Sequence, residues 1–337
     1  MAMLDAADQP LLDGVLRARG EPQRRAIAKT ITLLESTRTD HRARAEELLN
    51  ALLPASGKSF RLGISGVPGV GKSTFIEALG LHLLKGGHRV AVLAIDPSST
   101  VSGGSILGDK TRMERLSVEP DAFIRPSPTG GTLGGVTAHT REAMLVLEAA
   151  GHDVVIVETV GVGQSETAVA GMTDCFALLQ LPNAGDDLQA IKRGVMELAD
   201  LVAINKADLD SAAATRAQAQ ITSSLRLMQH GGHESERDTV SWQSRVLTLS
   251  AITGAGLAEF WQAASDFRDQ QAASGRLAAR RHQQDEAWMW ERIEALLHER
   301  FRSQPQVAAA LPQLTAQVRA GRVADSVAAR RLIDLLN

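Results

Sequence analysis

The chain has no tyrosine and a single cysteine, Cys175. One cysteine excludes an intrachain disulfide framework and fits a reducing, cytoplasmic compartment. No basic stretch opens the sequence: Met1-Ala-Met-Leu-Asp-Ala-Ala-Asp carries acids only, so a secretory signal is not expected. No apolar run is long enough for a bilayer; Val90–Ile95 is typical. A large excess of one charge sign is missing too. Thirty-six Lys and Arg stand against 39 Asp and Glu, a net charge of −3, so no bulk positive field argues for nucleic acid. What remains, 44% hydrophobic and 22% charged over 337 residues, is ordinary for a globular protein with room for one large α/β domain and helical extensions, or for two domains. The lack of tyrosine beside abundant alanine reads as helix-rich composition and points to no function.

Organisation follows from periodicity. Ile27, Ile31 and Leu34, then Leu48, Leu49, Leu52 and Leu53, recur at helical spacing until Pro54 and Gly57 break the pattern. Residues 1–56 therefore read as an N-terminal helical extension. From there to residue 271, short β-branched runs alternate with amphipathic stretches. The expected strands are Phe60–Ser65, Val90–Ile95, Ala122–Arg125, Val154–Val157, Cys175–Leu181, Leu201–Asn205 and Val246–Leu249. Several are apolar without alternation, as in strands covered on both faces. The expected fold is α/β, a doubly wound, mainly parallel sheet. Residues 272–337 carry no strand signal. Trp290, Ile293, Leu297 and Phe301 form a stripe at 3–4 spacing, and two further helices follow, so this region must pack on the main domain or on another subunit.

Between the first strand and its helix lies Gly66-Val67-Pro68-Gly69-Val70-Gly71-Lys72-Ser73-Thr74, which contains a complete G-x-x-x-x-G-K-[ST] phosphate-binding loop. Its glycines let backbone amides close around a phosphate, Lys72 can reach the β- and γ-phosphates, and the Ser73 hydroxyl can bind Mg²⁺. Asn205-Lys206-Ala207-Asp208 ends a later strand and has the N-K-x-D form that reads guanine. The Asp208 carboxylate can accept two hydrogen bonds from the guanine edge, a pair adenine does not offer. The Lys206 stem can lie along the base, and Asn205 can tie this loop to the phosphate loop. Ser250-Ala251-Ile252, after the next strand, can present amides to the guanine oxygen.

Carboxylates supply the metal candidates. Asp96 follows the second strand, at the carboxyl edge where ligands gather, and can bind Mg²⁺ or orient water. Asp109, in Gly108-Asp-Lys-Thr-Arg112, is another. Glu158-Thr-Val-Gly161 stands where many GTPases have D-x-x-G, with an acid one methylene longer. Ras-like enzymes place a water-orienting glutamine right after that glycine. This chain has Val162 there, and its first glutamine is Gln164, so intrinsic hydrolysis is expected to be slow.

Together, Gly66–Thr74, Asp96-Pro-Ser-Ser, Gly108-Asp-Lys-Thr-Arg, the segment Glu158–Glu166, Gln189-Ala-Ile-Lys-Arg-Gly194 and Asn205-Lys-Ala-Asp208 resemble the phosphate-loop GTPases that mature metal- and cobalamin-dependent enzymes. Within them the sequence is most similar to the methylmalonyl-CoA mutase-associated group, MeaB or ArgK-like. The resemblance covers about residues 20–300. It implies an Mg²⁺-dependent GTPase that binds GTP and GDP and chaperones an adenosylcobalamin-dependent methylmalonyl-CoA mutase. It also implies a homodimer built through the helical tail and a partner-responsive segment at Leu181–Gln189. Lys192, just beyond that segment, is the candidate cation that a partner would bring to the developing phosphate charge. Alternatives stay open: a nickel or cobalt metallochaperone GTPase, which calls for a His/Cys cluster, a small-molecule P-loop kinase, or a protein that holds nucleotide without turnover.

Overall fold

The computed structural model describes residues 4–36, 38–95, 113–126, 133–159, 165–183, 193–230 and 242–336. Seven parallel strands form one sheet: β1 Phe60–Gly66, β2 Val90–Ile95, β3 Ala122–Arg125, β4 Val154–Thr159, β5 Cys175–Gln180, β6 Leu201–Ile204 and β7 Arg245–Thr248, in the order β3-β2-β4-β1-β5-β6-β7. The expected strands are all present within one or two residues. The informative difference is β4, which runs on through Thr159 and pairs Ile64 of β1 with Glu158. Glu158 is therefore held by the sheet and not by a loop.

Alternation along each strand sorts side chains into two cores. On one face Phe60, Leu62 and Ile64 of β1 join Phe75, Ile76 and Leu79 of the helix Lys72–Lys85, here α4, and Phe260 and Phe267 of the helix Leu257–Ala273. Phe75 and Phe260 meet edge to face with centroids 5.0 Å apart. On the other face Val155, Val157, Phe176, Leu178, Val202 and Ile204 pack with Met144 and Leu147 of the helix Leu133–Ala149. The N-terminal helices α1 (Gln9–Leu16), α2 (Gly20–Leu34) and α3 (Thr39–Leu52) join this second core through Val15, Ile27, Ile31 and Leu48.

The chain divides into two compact units, Met1–Arg281 and His282–Asn337. The second unit contains the helices Pro305–Arg319 and Asp325–Ile333, which pack on each other. In it Trp290 and Leu297 are exposed, at 56% and 58%. Cys175 is fully buried in β5, and burial pushes its thiol well above the ordinary range. Among the described residues no helix is long and apolar enough to cross a membrane.

Candidate functional site

The carboxyl ends of β1, β4, β5 and β6 converge on one edge of the sheet. There β1 turns through the phosphate loop into α4. A Cβ on Gly66 would lie 2.6 Å from the carbonyl oxygen of Leu179 in β5, so the turn is possible only because position 66 has none. Val70 N–H donates to Val67 O at 3.2 Å and closes the loop. Lys72 heads the helix, largely buried, and its Nζ donates to Gly66 O at 2.7 Å and Val67 O at 3.4 Å. The ammonium thus lies inside the ring of loop backbone that an anionic ligand would fill.

Ser73 follows, and its Oγ donates to Glu158 Oε1 at 3.2 Å. Glu158 is 3% exposed. A hydroxyl and a buried carboxylate side by side, at the phosphate end of the loop, form the hard-oxygen donor set that Mg²⁺ prefers. β4 reaches past Glu158, so its backbone is held by pairing with Ile64 and Ala94.

Asn205 makes the junction between the two motifs. Its Nδ2 donates to Val70 O at 2.8 Å, and its Oδ1 accepts from Ala251 N–H at 3.1 Å. One side-chain amide thereby ties the phosphate loop, the N-K-x-D segment and the Ser250-Ala251-Ile252 turn together. Lys206 adds a second tie, Nζ to Gly69 O at 2.8 Å, from a left-handed backbone with φ 62° that non-glycine residues seldom adopt. Its ammonium on the phosphate loop escapes a sequence reading that places only its stem, along the base. Gly71 has a second reason to be glycine: its φ is 91°, and a Cβ there would stand 2.8 Å from Asn205 Nδ2. Spacing within the phosphate loop gives no sign of that constraint.

Asp208 is exposed at the end of this loop, with its carboxylate available to a ligand. Ser250 and Ala251 are buried, and Ile252 is exposed at 78%. A cavity of about 440 Å³ opens beside Asp208, between Ser250, Thr253 and Glu259. Asp96, Asp109, Gln164 and Lys192 lie outside the described residues, as does most of Leu181–Gln189.

The family described as methylmalonyl Co-A mutase-associated GTPase MeaB matches residues 27–306. A probable GTPase of Mycobacterium tuberculosis is 50% identical over 339 residues, covering 100% of this chain and 99% of that protein. The mouse protein named Methylmalonic aciduria type A homolog, mitochondrial, is 45% identical over 341 residues, covering 98% of this chain and 80% of that one. Among solved structures, the crystal structure titled LAO/AO transport system kinase superposes with a TM-score of 0.73 at 36% identity, covering 99% of both chains.

Proposed function

The chain belongs to the methylmalonyl Co-A mutase-associated GTPase family, MeaB, and is a P-loop GTPase; from that premise we propose that its hydrolysis cycle serves an adenosylcobalamin-dependent methylmalonyl-CoA mutase as a chaperone. The observation that carries the nucleotide chemistry is the Asn205 junction. It ties the phosphate cradle to the loop that carries Asp208, which supports recognition of a guanine nucleotide by both motifs at once.

In this reading GTP lies with its phosphates against the amides of Gly66–Thr74 and its base between Asp208 and the Ser250-Ala251-Ile252 turn. Ser73 and Glu158 hold Mg²⁺, with Asp96 and Asp109 as further candidates. When bound, the metal neutralises charge between the β- and γ-phosphates. Lys72 exchanges the carbonyls of Gly66 and Val67 for phosphate oxygens, a small movement within a loop already shaped for it. Val162 has no side-chain amide to orient water, so turnover by the isolated protein is slow, and Gln164 and Lys192 are the groups a partner would bring into play.

The mutase as partner is supported by the family's name. A homodimer is supported by the exposed apolar side chains Trp290 and Leu297 in the second unit, which a second copy would cover. The test is GTP turnover of the full chain with and without the mutase, in wild type and Lys192→Ala. Stimulation of wild type alone is expected. Equal stimulation of both removes Lys192 from the role, and stimulation of neither removes the coupling. Sedimentation decides the dimer, and a monomer at micromolar concentration would contradict it.

A further inference from the structure

Ser65 stands immediately before Gly66, where the phosphate loop begins, and Thr159 is the last residue of β4, directly after Glu158. Both side chains are buried. Alternation along the strands puts them on the face of Val157 and Phe176, whereas Glu158 points to the opposite face, toward Ser73.

Pairing of β1 with β4 runs from Phe60 and Val154 to Ile64 and Glu158, and stops there. β1 goes on beside β5, with Ser65 opposite Leu178 and Gly66 opposite Leu179. β4 goes on beside β2, with Thr159 opposite Ile95. From this point each of the two strands keeps only its other neighbour, and the sheet opens between them. Across that opening Thr159 Oγ1 donates to Ser65 Oγ at 2.9 Å, one residue beyond the last backbone pair on both strands.

Packing alone does not call for two hydroxyls here. An alanine facing a valine would fill nearly the same space, and replacing both members of a buried hydrogen-bonded pair by apolar groups of like shape is close to neutral for stability. What an apolar pair lacks is a set distance: a bond between hydroxyls holds its oxygens about 2.8 Å apart, and apolar side chains slide past one another. The distance at stake is that between β1 and β4 at the level of the hard-oxygen donors. Ser73 is carried by the loop that leaves β1 through Gly66, Glu158 is carried by β4, and their oxygens lie 3.2 Å apart.

We propose that Ser65 and Thr159 are positioning residues for the Mg²⁺ site: their bond spans the opening where the backbone ladder has ended and keeps Glu158 and Ser73 within reach of one cation. This rests on the metal-shell reading of Glu158 given above. The two hydroxyls lie on the opposite face of the sheet from Glu158 and act through the backbones that carry them.

The experiment uses the full chain as wild type, the double variant Ser65→Ala/Thr159→Val, and Thr159→Ser. Three quantities are measured: Mg²⁺ affinity with a saturating non-hydrolysable GTP analogue, the affinity of that analogue in EDTA, and the melting temperature without nucleotide. The double variant should bind Mg²⁺ about five- to tenfold more weakly, the worth of one neutral hydrogen bond. Its analogue affinity in EDTA should stay within about twofold, and its melting temperature should hardly move. Thr159→Ser loses a methyl group that valine keeps, so it should melt lower, yet its hydroxyl should preserve the wild-type Mg²⁺ affinity. Unchanged Mg²⁺ affinity in the double variant overturns the proposal. So does an equal loss of analogue affinity in EDTA, which marks a pair that merely holds the loop together, or a Thr159→Ser as weak for Mg²⁺ as the double variant, which marks packing. Glu158→Ala separates the two readings. If it leaves Mg²⁺ affinity unchanged, the metal-shell reading falls and this proposal with it. If it weakens Mg²⁺ and the double variant does not, only this proposal falls.

Discussion

The two edges of one sheet are built on opposite plans. At the amino edge the buried carboxylates Glu148, Asp174 and Asp200 have their partners inside the protein. Glu148, with a fully buried side chain, accepts from Arg61 Nε at 2.7 Å and Nη2 at 3.0 Å, from Ser59 Oγ at 2.5 Å and from Gly57 N–H at 2.7 Å. Asp174, also fully buried, accepts from Arg61 N–H at 2.8 Å and from Arg281 Nε and Nη2 at 2.7 and 2.6 Å. Asp200 accepts from Phe176 N–H at 2.8 Å and faces Arg280 at 3.3 Å. At the carboxyl edge Lys72 rests on its own loop's carbonyls and Glu158 accepts from Ser73 Oγ at 3.2 Å. Bonds between full charges in a dry setting are costly to break. Bonds from a charge to neutral carbonyls are readily exchanged for a phosphate. One edge is finished, and the other waits for a ligand.

Proton equilibria vary within the amino edge. Burial opposes ionisation of Glu148, yet Arg61, Ser59 and Gly57 more than offset it and hold the carboxyl below its usual range. Asp200 goes the other way: burial raises it, and Arg280 offsets only part. His152, beside Asp153 at the start of β4, is lowered to about 4, first by burial and then by the Arg89 charge.

The comparison can be broken most sharply at Lys72. Lys72→Ala should cut GTP turnover by about 10³-fold, because the γ-phosphate loses its principal protein cation, while the melting temperature hardly moves. A large loss of stability would mean that the carboxyl edge is structural as well. Glu148→Ala is the mirror image. It strands Arg61 in the interior, so urea melts should show a loss of about 3–5 kcal/mol, and the protein that remains folded should bind GDP as wild type does. Weakened GDP binding would show that the two edges are coupled.

A titration sharpens the amino-edge account. Above pH 6.5 His152 is neutral in both states and contributes nothing to pH dependence. Between pH 6.5 and 4 the unfolded chain binds a proton that the folded chain refuses, so stability falls as pH falls, by about 3 kcal/mol at pH 4. His152→Asn, which can still donate to Leu147 O, should lose this slope, and wild type should keep it. Parallel urea melts at pH 7 and 5 decide the matter: equal slopes would show that His152 is not the titrating group. The smallest effect is expected at the base. Asp208→Asn should weaken GDP by about 1.5–3 kcal/mol, the worth of hydrogen bonds to a charged group, and leave the already weak ADP unaffected. Calorimetry with both nucleotides checks this, and equal losses for GDP and ADP would remove Asp208 from base recognition.

Sequence was enough for the architecture. Seven short β-branched runs, several apolar without alternation and spaced by helical segments, argue for a parallel sheet covered on both faces. The motifs were legible for a related reason, since Gly66 to Ser73 and Asn205 to Asp208 are each local, with chemistry that lies within a few residues. Even the tie from Asn205 to the phosphate loop could be expected from the pairing of the two motifs. The extent of β4 could not, because nothing local says whether Thr159 pairs with a neighbour.

Tertiary structure alone decided what joins distant positions. Gly71 must lack a Cβ because Asn205, 134 positions later, occupies that space. Asp174 is buried and harmless because Arg281 arrives from the start of the long C-terminal helix. Glu148 and Arg61 meet because a helix end and a strand start share the amino edge. Thr159 reaches Ser65 across the β4–β1 pair, a bond that strand order alone creates. Periodicity and motif spacing record what neighbours along the chain must do. Partners across a parallel sheet are set by strand order and register, which come from burying the whole core at once, and no short stretch of sequence carries that information.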